Sequence, residues 1–157
     1  MANQGDARSR EATRQGRDVR GTAAFILTGL SGGHGVFHWF TQSFLVMLPE
    51  VKATFGLTDL QVGSIMTVRQ VSSGLITLPG GILSDLLRRQ WGMVLAFCMG
   101  GFGLGWLVMG ASPIFAVLLL GFAIIAVASS MWHLPAMASL SQHFSQRRGT
   151  ALSLHGI

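Results

Sequence analysis

Two histidines, His34 and His38, stand four residues apart in a run otherwise rich in Gly, Phe and Leu. A four-residue step returns to the same helix face, and Gln42 extends that stripe by another turn. Polar side chains inside a long apolar segment face protein or a water-filled cavity. Imidazole titrates near neutral pH, so it can take a proton from one side of a membrane and release it on the other, or hydrogen-bond a polar or anionic solute. His133 lies in a second apolar run far along the chain. The plainer alternative is that each ring bonds a backbone carbonyl or a hydroxyl such as that of Ser129. The pair His34 and His38 with His133 could also chelate a metal or a haem. No membrane-embedded carboxylate joins them and no group that would orient the rings is evident, so no metal and no other cofactor is assigned.

Arg69 is the other group that could do chemistry. It lies in the middle of an apolar segment, with Ser73 and Thr77 following on the same face. An unpaired charge at that depth costs at least ~2.5 kcal/mol on insertion scales. No acidic residue in the first four apolar segments sits at a matching depth. Arg69 therefore faces an aqueous cavity, where it could bind an anionic solute, pairs with an acid outside this sequence, or snorkels to an interface. Paired carboxylates, a nucleophile with its base, and a phosphate loop are all missing, and the Gly runs lie inside apolar spans. No enzyme activity is expected.

The elements that must position these groups are transmembrane helices. Half of the 157 residues are hydrophobic, 11% are charged, and the mean hydropathy is +0.52. Residues 91–146 contain no Asp, Glu, Lys or Arg. At about 1.5 Å per residue this stretch far exceeds a hydrocarbon core of ~30 Å, so it holds two spans. Charged turns and prolines divide the chain into spans at about 22–48, 60–83, 92–110 and 114–143, with the opening turns of a fifth at 150–157. Pro49 is expected to end the first helix, and Thr58 or Asp59 to cap the second. Pro79 and Pro135 remove backbone donors near the ends of the second and fourth. Gly29, Gly33, Gly101 and Gly105 form small-x-x-x-small pairs suited to close helix packing. The single Cys98 leaves no disulfide or cysteine metal site within the chain.

The net charge of +5 is topology information, not a nucleic-acid signature. Arg8, Arg10, Arg14, Arg17 and Arg20 crowd a polar tail over 1–20, expected to be disordered. Further Arg residues mark the turn at 85–89 and the junction at 147–148. The loops between carry no such excess, which places the tail and these turns in the cytoplasm and gives an N-in, multi-pass protein.

With that layout, the turn Gly81-Ile82-Leu83-Ser84-Asp85-Leu86-Leu87-Arg88-Arg89 resembles the loop signature between helices two and three of the major facilitator superfamily. The family pattern is Gly-x-x-x-Asp-Arg-x-Gly-Arg-Arg. Gly81, Asp85 and Arg89 match it, whereas Leu86, Arg88 and Gln90 depart. The segments Ser130-Met131-Trp132-His133-Leu134-Pro135, Arg147-Arg148-Gly149 and Ala151-Leu152-Ser153-Leu154-His155-Gly156, with His34, are similar to the fosmidomycin-resistance branch of that superfamily.

The resemblance covers about 22–157 and implies an all-α membrane protein, the front third of a twelve-helix transporter. It implies proton-coupled antiport, an efflux of a small polar or drug-like solute across the inner (plasma) membrane. In the resembled fold the first and fourth helices line the central cavity. His34, His38 and His133 would then surround one path, with His155 nearby and Gln42 and Arg69 along it. Gly81, Asp85 and Arg89 would belong to a gating loop, the acid meeting a helix of the missing half in one state. Partners are the lipid bilayer, the solute, protons and the missing C-terminal helices, with no nucleic acid. The alternatives from other classes are a non-transporting four-helix interaction or sensor protein, and an inactive fragment.

Overall fold

The computed structural model describes residues 21–156, all of it helix and short connections. The tail expected over 1–20 lies outside the described residues. In chain order the elements are α1 (Ala23–Phe55), α2 (Asp59–Leu86), α3 (Trp91–Gly110), α4 (Phe115–His143) and α5 (Arg148–His155). Single 3₁₀ turns, Arg88–Gln90 and Ser145–Arg147, lead into α3 and α5.

Local chemistry sets the ends of the first two helices. Thr22 caps α1, its side chain accepting from the Phe25 amide. The helix then runs past Pro49 instead of ending there. Proline removes one N–H, but the next residues still find carbonyls one turn back, and the stop comes at Gly56. That glycine has φ +58°, and the Leu57 amide bonds the Lys52 carbonyl at 2.9 Å while Leu57 itself is buried. A left-handed glycine with this pair of contacts closes a helix better than a proline does. Thr58 begins α2 as a capping box: the Gln61 amide bonds the Thr58 hydroxyl, and the Thr58 amide donates to the Gln61 side chain at 2.9 Å. Across this connection the Lys52 ammonium lies 2.5 Å from Asp59 and holds that exposed carboxyl below its usual range.

The helix α4 is the centre of the packing. It lies against α2 and α3 along much of its length and also meets α1 and α5. One apolar cluster joins Phe37 of α1 and Phe102 of α3 to Ile125, Trp132 and Leu140 of α4. A second joins Phe44, Leu57 and Ile65 to Leu118 and Phe122. The aromatic face of α1 threads both: Phe37 meets Phe102 edge-on at 4.3 Å between ring centroids, and Phe44 meets Phe122 at 4.4 Å.

Small residues let α3 and α4 touch backbone to backbone. A Cβ on Gly105 would stand 3.0 Å from the Gly121 carbonyl oxygen, and one on Gly121 would stand 2.9 Å from the Gly105 oxygen and from the Met109 amide nitrogen. Gly33 accommodates the Trp132 ring, which would lie 2.7 Å from a Cβ at that position, so α1 also approaches α4 through a glycine.

The outer surface is apolar. Trp39, Val46, Phe97 and Leu107 are each more than two-thirds exposed, a distribution suited to lipid and unsuited to water. The segments Arg88–Gly110 and Phe115–His143 are long and apolar enough to cross a membrane by length and composition. The first two helices are longer than a bilayer requires but carry more polar residues, among them His34, His38, Gln42 and Arg69.

Candidate functional site

Four of the five histidines meet where α1, α4 and α5 converge. The ring centroid of His34 lies 4.5 Å from that of His38, 5.1 Å from that of His133 and 4.4 Å from that of His155. His155 and His34 are stacked, with planes 19° apart, and Trp132 continues the stack on His155 at 5.8 Å. Phe37, one turn beyond His34 on α1, packs on Trp132 at 5.0 Å and floors the cluster.

Hydrogen bonds to main-chain carbonyls fix the ring orientations. The His133 Nδ1–H donates to the Ser129 carbonyl at 2.6 Å, and the His34 Nδ1–H donates to the His155 carbonyl. A carbonyl can only accept, so in both rings Nδ1 carries the proton of that bond. The Nε2 atoms of His38 and His34 lie 2.8 Å apart, within hydrogen-bond distance. Thus two imidazoles share one hydrogen bond, with a third imidazole beside them. These carbonyls are the partners that the plainer reading of the sequence expected, Ser129 offering its main-chain carbonyl and not its hydroxyl. They arise from helix geometry, since Ser129 is one turn before His133, and from the fold of α5 back onto α1.

His155 is 3% exposed, and neither of its ring nitrogens has a hydrogen-bond partner among the described residues. A buried polar group left unmatched costs about 1–3 kcal/mol, so this ring is poised to gain from a solute, an ion or water. His143, the remaining histidine, bonds the Ser139 carbonyl at 2.9 Å and stands outside the cluster.

The other expected site residues lie elsewhere. Gln42 is exposed, one turn beyond His38 on the same face. Arg69 lines a small recess with Thr41, Phe44, Leu45, Met66 and Trp106, and forms no salt bridge among the described residues. Trp106 contributes a buried Nε1–H without a partner among the described residues to the same neighbourhood. Ser73, one turn on from Arg69, receives a hydrogen bond from Ser130 at 2.8 Å, which ties α2 to α4.

At the end of α2, Asp85 faces Arg88 of the following 3₁₀ turn at 3.8 Å, both well exposed. The buried Trp91 Nε1–H donates to the Ser84 carbonyl at 2.9 Å and pins the turn to the start of α3. Arg89 borders a cleft of about 430 Å³ together with Arg88, Ser139 and His143. Gly81 has open space where a Cβ would stand, whereas its neighbour Gly80 lies against Met131 and Leu134 of α4. The packing glycine of this segment is therefore Gly80, a position the motif does not mark.

A helical bundle with an apolar surface, a polar cluster on its first and fourth helices and an acid-and-arginine turn between its second and third defines a membrane protein of the major facilitator class. The chain belongs to the Major Facilitator Superfamily, whose family profile matches residues 30–157. Among curated proteins it is similar to the fosmidomycin resistance protein of Escherichia coli (strain K12), with 26% identity over 133 residues. That alignment takes in 85% of this chain and 32% of the relative, so the chain spans well under half of the protein it matches. No solved structure matches the chain significantly.

Proposed function

We propose that the polypeptide carrying this chain is a secondary active transporter that moves a small polar or drug-like solute outward in exchange for protons. The observation that most supports this reading is the meeting of His34, His38, His133 and His155 from three helices at one point. A proton already held between two Nε2 atoms can be passed to a solute or to water, and a second can enter on His133. When the cluster opens alternately to either side, loading and release of that proton are tied to the solute. Gln42 would continue the polar path. Arg69, with no acid beside it among the described residues, would attract an anionic part of the solute or meet an acid from the rest of the transporter.

In the same reading Gly81, Asp85 and Arg89 form the cytoplasmic gate. The Asp85–Arg88 contact is weak at its distance and exposure, which leaves Asp85 free to exchange Arg88 for a group on a helix of the other half. The alignment takes in 32% of the relative, and that helix would belong to the remainder. The distribution of arginines supports a cytoplasmic amino terminus, with the helices in the inner membrane.

The relative is named for fosmidomycin resistance, which makes fosmidomycin the first solute to test. Cells lacking their own exporter and producing the polypeptide are expected to grow at a higher drug concentration than cells without it, and the His34→Ala variant should lose this advantage. Equal growth with and without the polypeptide, at matched membrane abundance, would contradict fosmidomycin export.

A further inference from the structure

We propose that His34, His38 and His133 form a binding site for a divalent first-row transition cation of the zinc type, bridging α1 and α4. This goes beyond the transport reading, does not rest on it, and reverses the sequence-based assignment of no metal. The donor atoms of the three side chains all lie within 4.8 Å of one another, and the Nε2 atoms of His34 and His38 are already 2.8 Å apart. In a tetrahedral site with bonds of about 2.0–2.1 Å the ligand nitrogens stand roughly 3.3 Å apart. The donors are therefore already gathered close to the separations that a bound cation needs.

Two further features point the same way. Ligand histidines ordinarily donate their second N–H to a carbonyl or carboxylate, which fixes the tautomer and aims the other nitrogen at the metal. His34 and His133 both do so, through the His155 and Ser129 carbonyls. Imidazole ligands suit zinc, copper, nickel and iron, whereas magnesium and calcium prefer oxygen, and no carboxylate joins the cluster among the described residues. Three protein nitrogens leave a fourth position for water or an anion, which would offset the cation's charge in an apolar setting.

The test is a titration of the detergent-purified native polypeptide, prepared without a polyhistidine tag, with Co²⁺ as a coloured probe and then Zn²⁺ as competitor. One saturable equivalent of Co²⁺ with the visible absorption of a four-coordinate site, displaced by Zn²⁺, is the expected result. His38 is exposed, so His38→Ala and His38→Gln can both be made with little risk to the fold. Either should weaken Co²⁺ binding at least about tenfold, as should His133→Ala, while His143→Ala should bind as the parent does. No saturable binding, or parent-like affinity in His38→Ala or His133→Ala, would overturn the proposal. Binding is read without solute or gradient, so its failure removes the metal site and leaves the transport reading to flux measurements made in the presence of a chelator.

Discussion

Replacing His133 by alanine is expected to lower solute flux roughly tenfold or more while leaving the helical bundle intact. The ring is only partly buried, and its one hydrogen bond runs to the Ser129 carbonyl of its own helix, so α4 does not need it to fold. What the substitution removes is the α4 wall of the imidazole cluster, with a ring nitrogen within 4.8 Å of those of His34 and His38. A lost hydrogen bond to a buried polar partner is worth about 1–3 kcal/mol, and each ~1.4 kcal/mol is a factor of about ten. His143→Ala is the matched control. Its ring bonds the Ser139 carbonyl one turn back in the same manner, yet it stands outside the cluster. Flux per protein in reconstituted vesicles should fall for His133→Ala and hold for His143→Ala; equal flux in the two would remove His133 from the path.

The largest effect on stability is expected at Gly121. An added methyl group would lie 2.9 Å from the Gly105 carbonyl oxygen and from the Met109 amide nitrogen, both main-chain atoms that cannot rotate aside. The α3 and α4 backbones must then separate along the contact that organises the bundle, at a cost of about 1–3 kcal/mol for overpacking. Gly121→Ala should lower the thermal unfolding midpoint in detergent, and Gly121→Val should lower it further. Gly100→Ala, with nothing within 4 Å of the added atom, is expected to be neutral or to stabilise slightly, because alanine is the better helix former. If Gly121→Ala melted with the parent, the close α3–α4 approach would be wrong.

The all-helical class was legible because a charge-free run longer than one bilayer and clustered arginines leave few other solutions. Details failed where a local rule competed with a stronger one. Pro49 is a sound helix terminator taken alone, but the left-handed Gly56 followed by buried Leu57 is a complete stop about two turns later, and the helix uses it. Among the glycines, the spacing of Gly101 and Gly105 marked a face that does pack on α4, while Gly121, which meets Gly105 from α4, was not marked. Spacing within a helix says which face is small; it says nothing about the register against a neighbour.

The site divides in the same way. The i, i+4 step of His34 and His38 was readable as a shared face, and the structure brings His133 and His155 to it. The tautomers could not be read, because they depend on where the Ser129 and His155 carbonyls point. Arg69 faces a separate recess beside Thr41 and Trp106, a placement set by how α2 packs on its neighbours and recorded in no one-dimensional pattern. The gating motif was visible as residue types, whereas the ion pair it makes here, Asp85 with Arg88, uses a residue that departs from the family pattern.

The claim that the imidazole cluster couples solute to proton movement is tested most directly by a pH-sensitive dye trapped in vesicles holding the native polypeptide. Addition of a transported solute outside, with a chelator present and no imposed gradient, should shift the internal pH, and His34→Ala should abolish that shift. Solute flux that proceeds with no pH change in the parent protein, or an undiminished pH change in His34→Ala, would contradict the account.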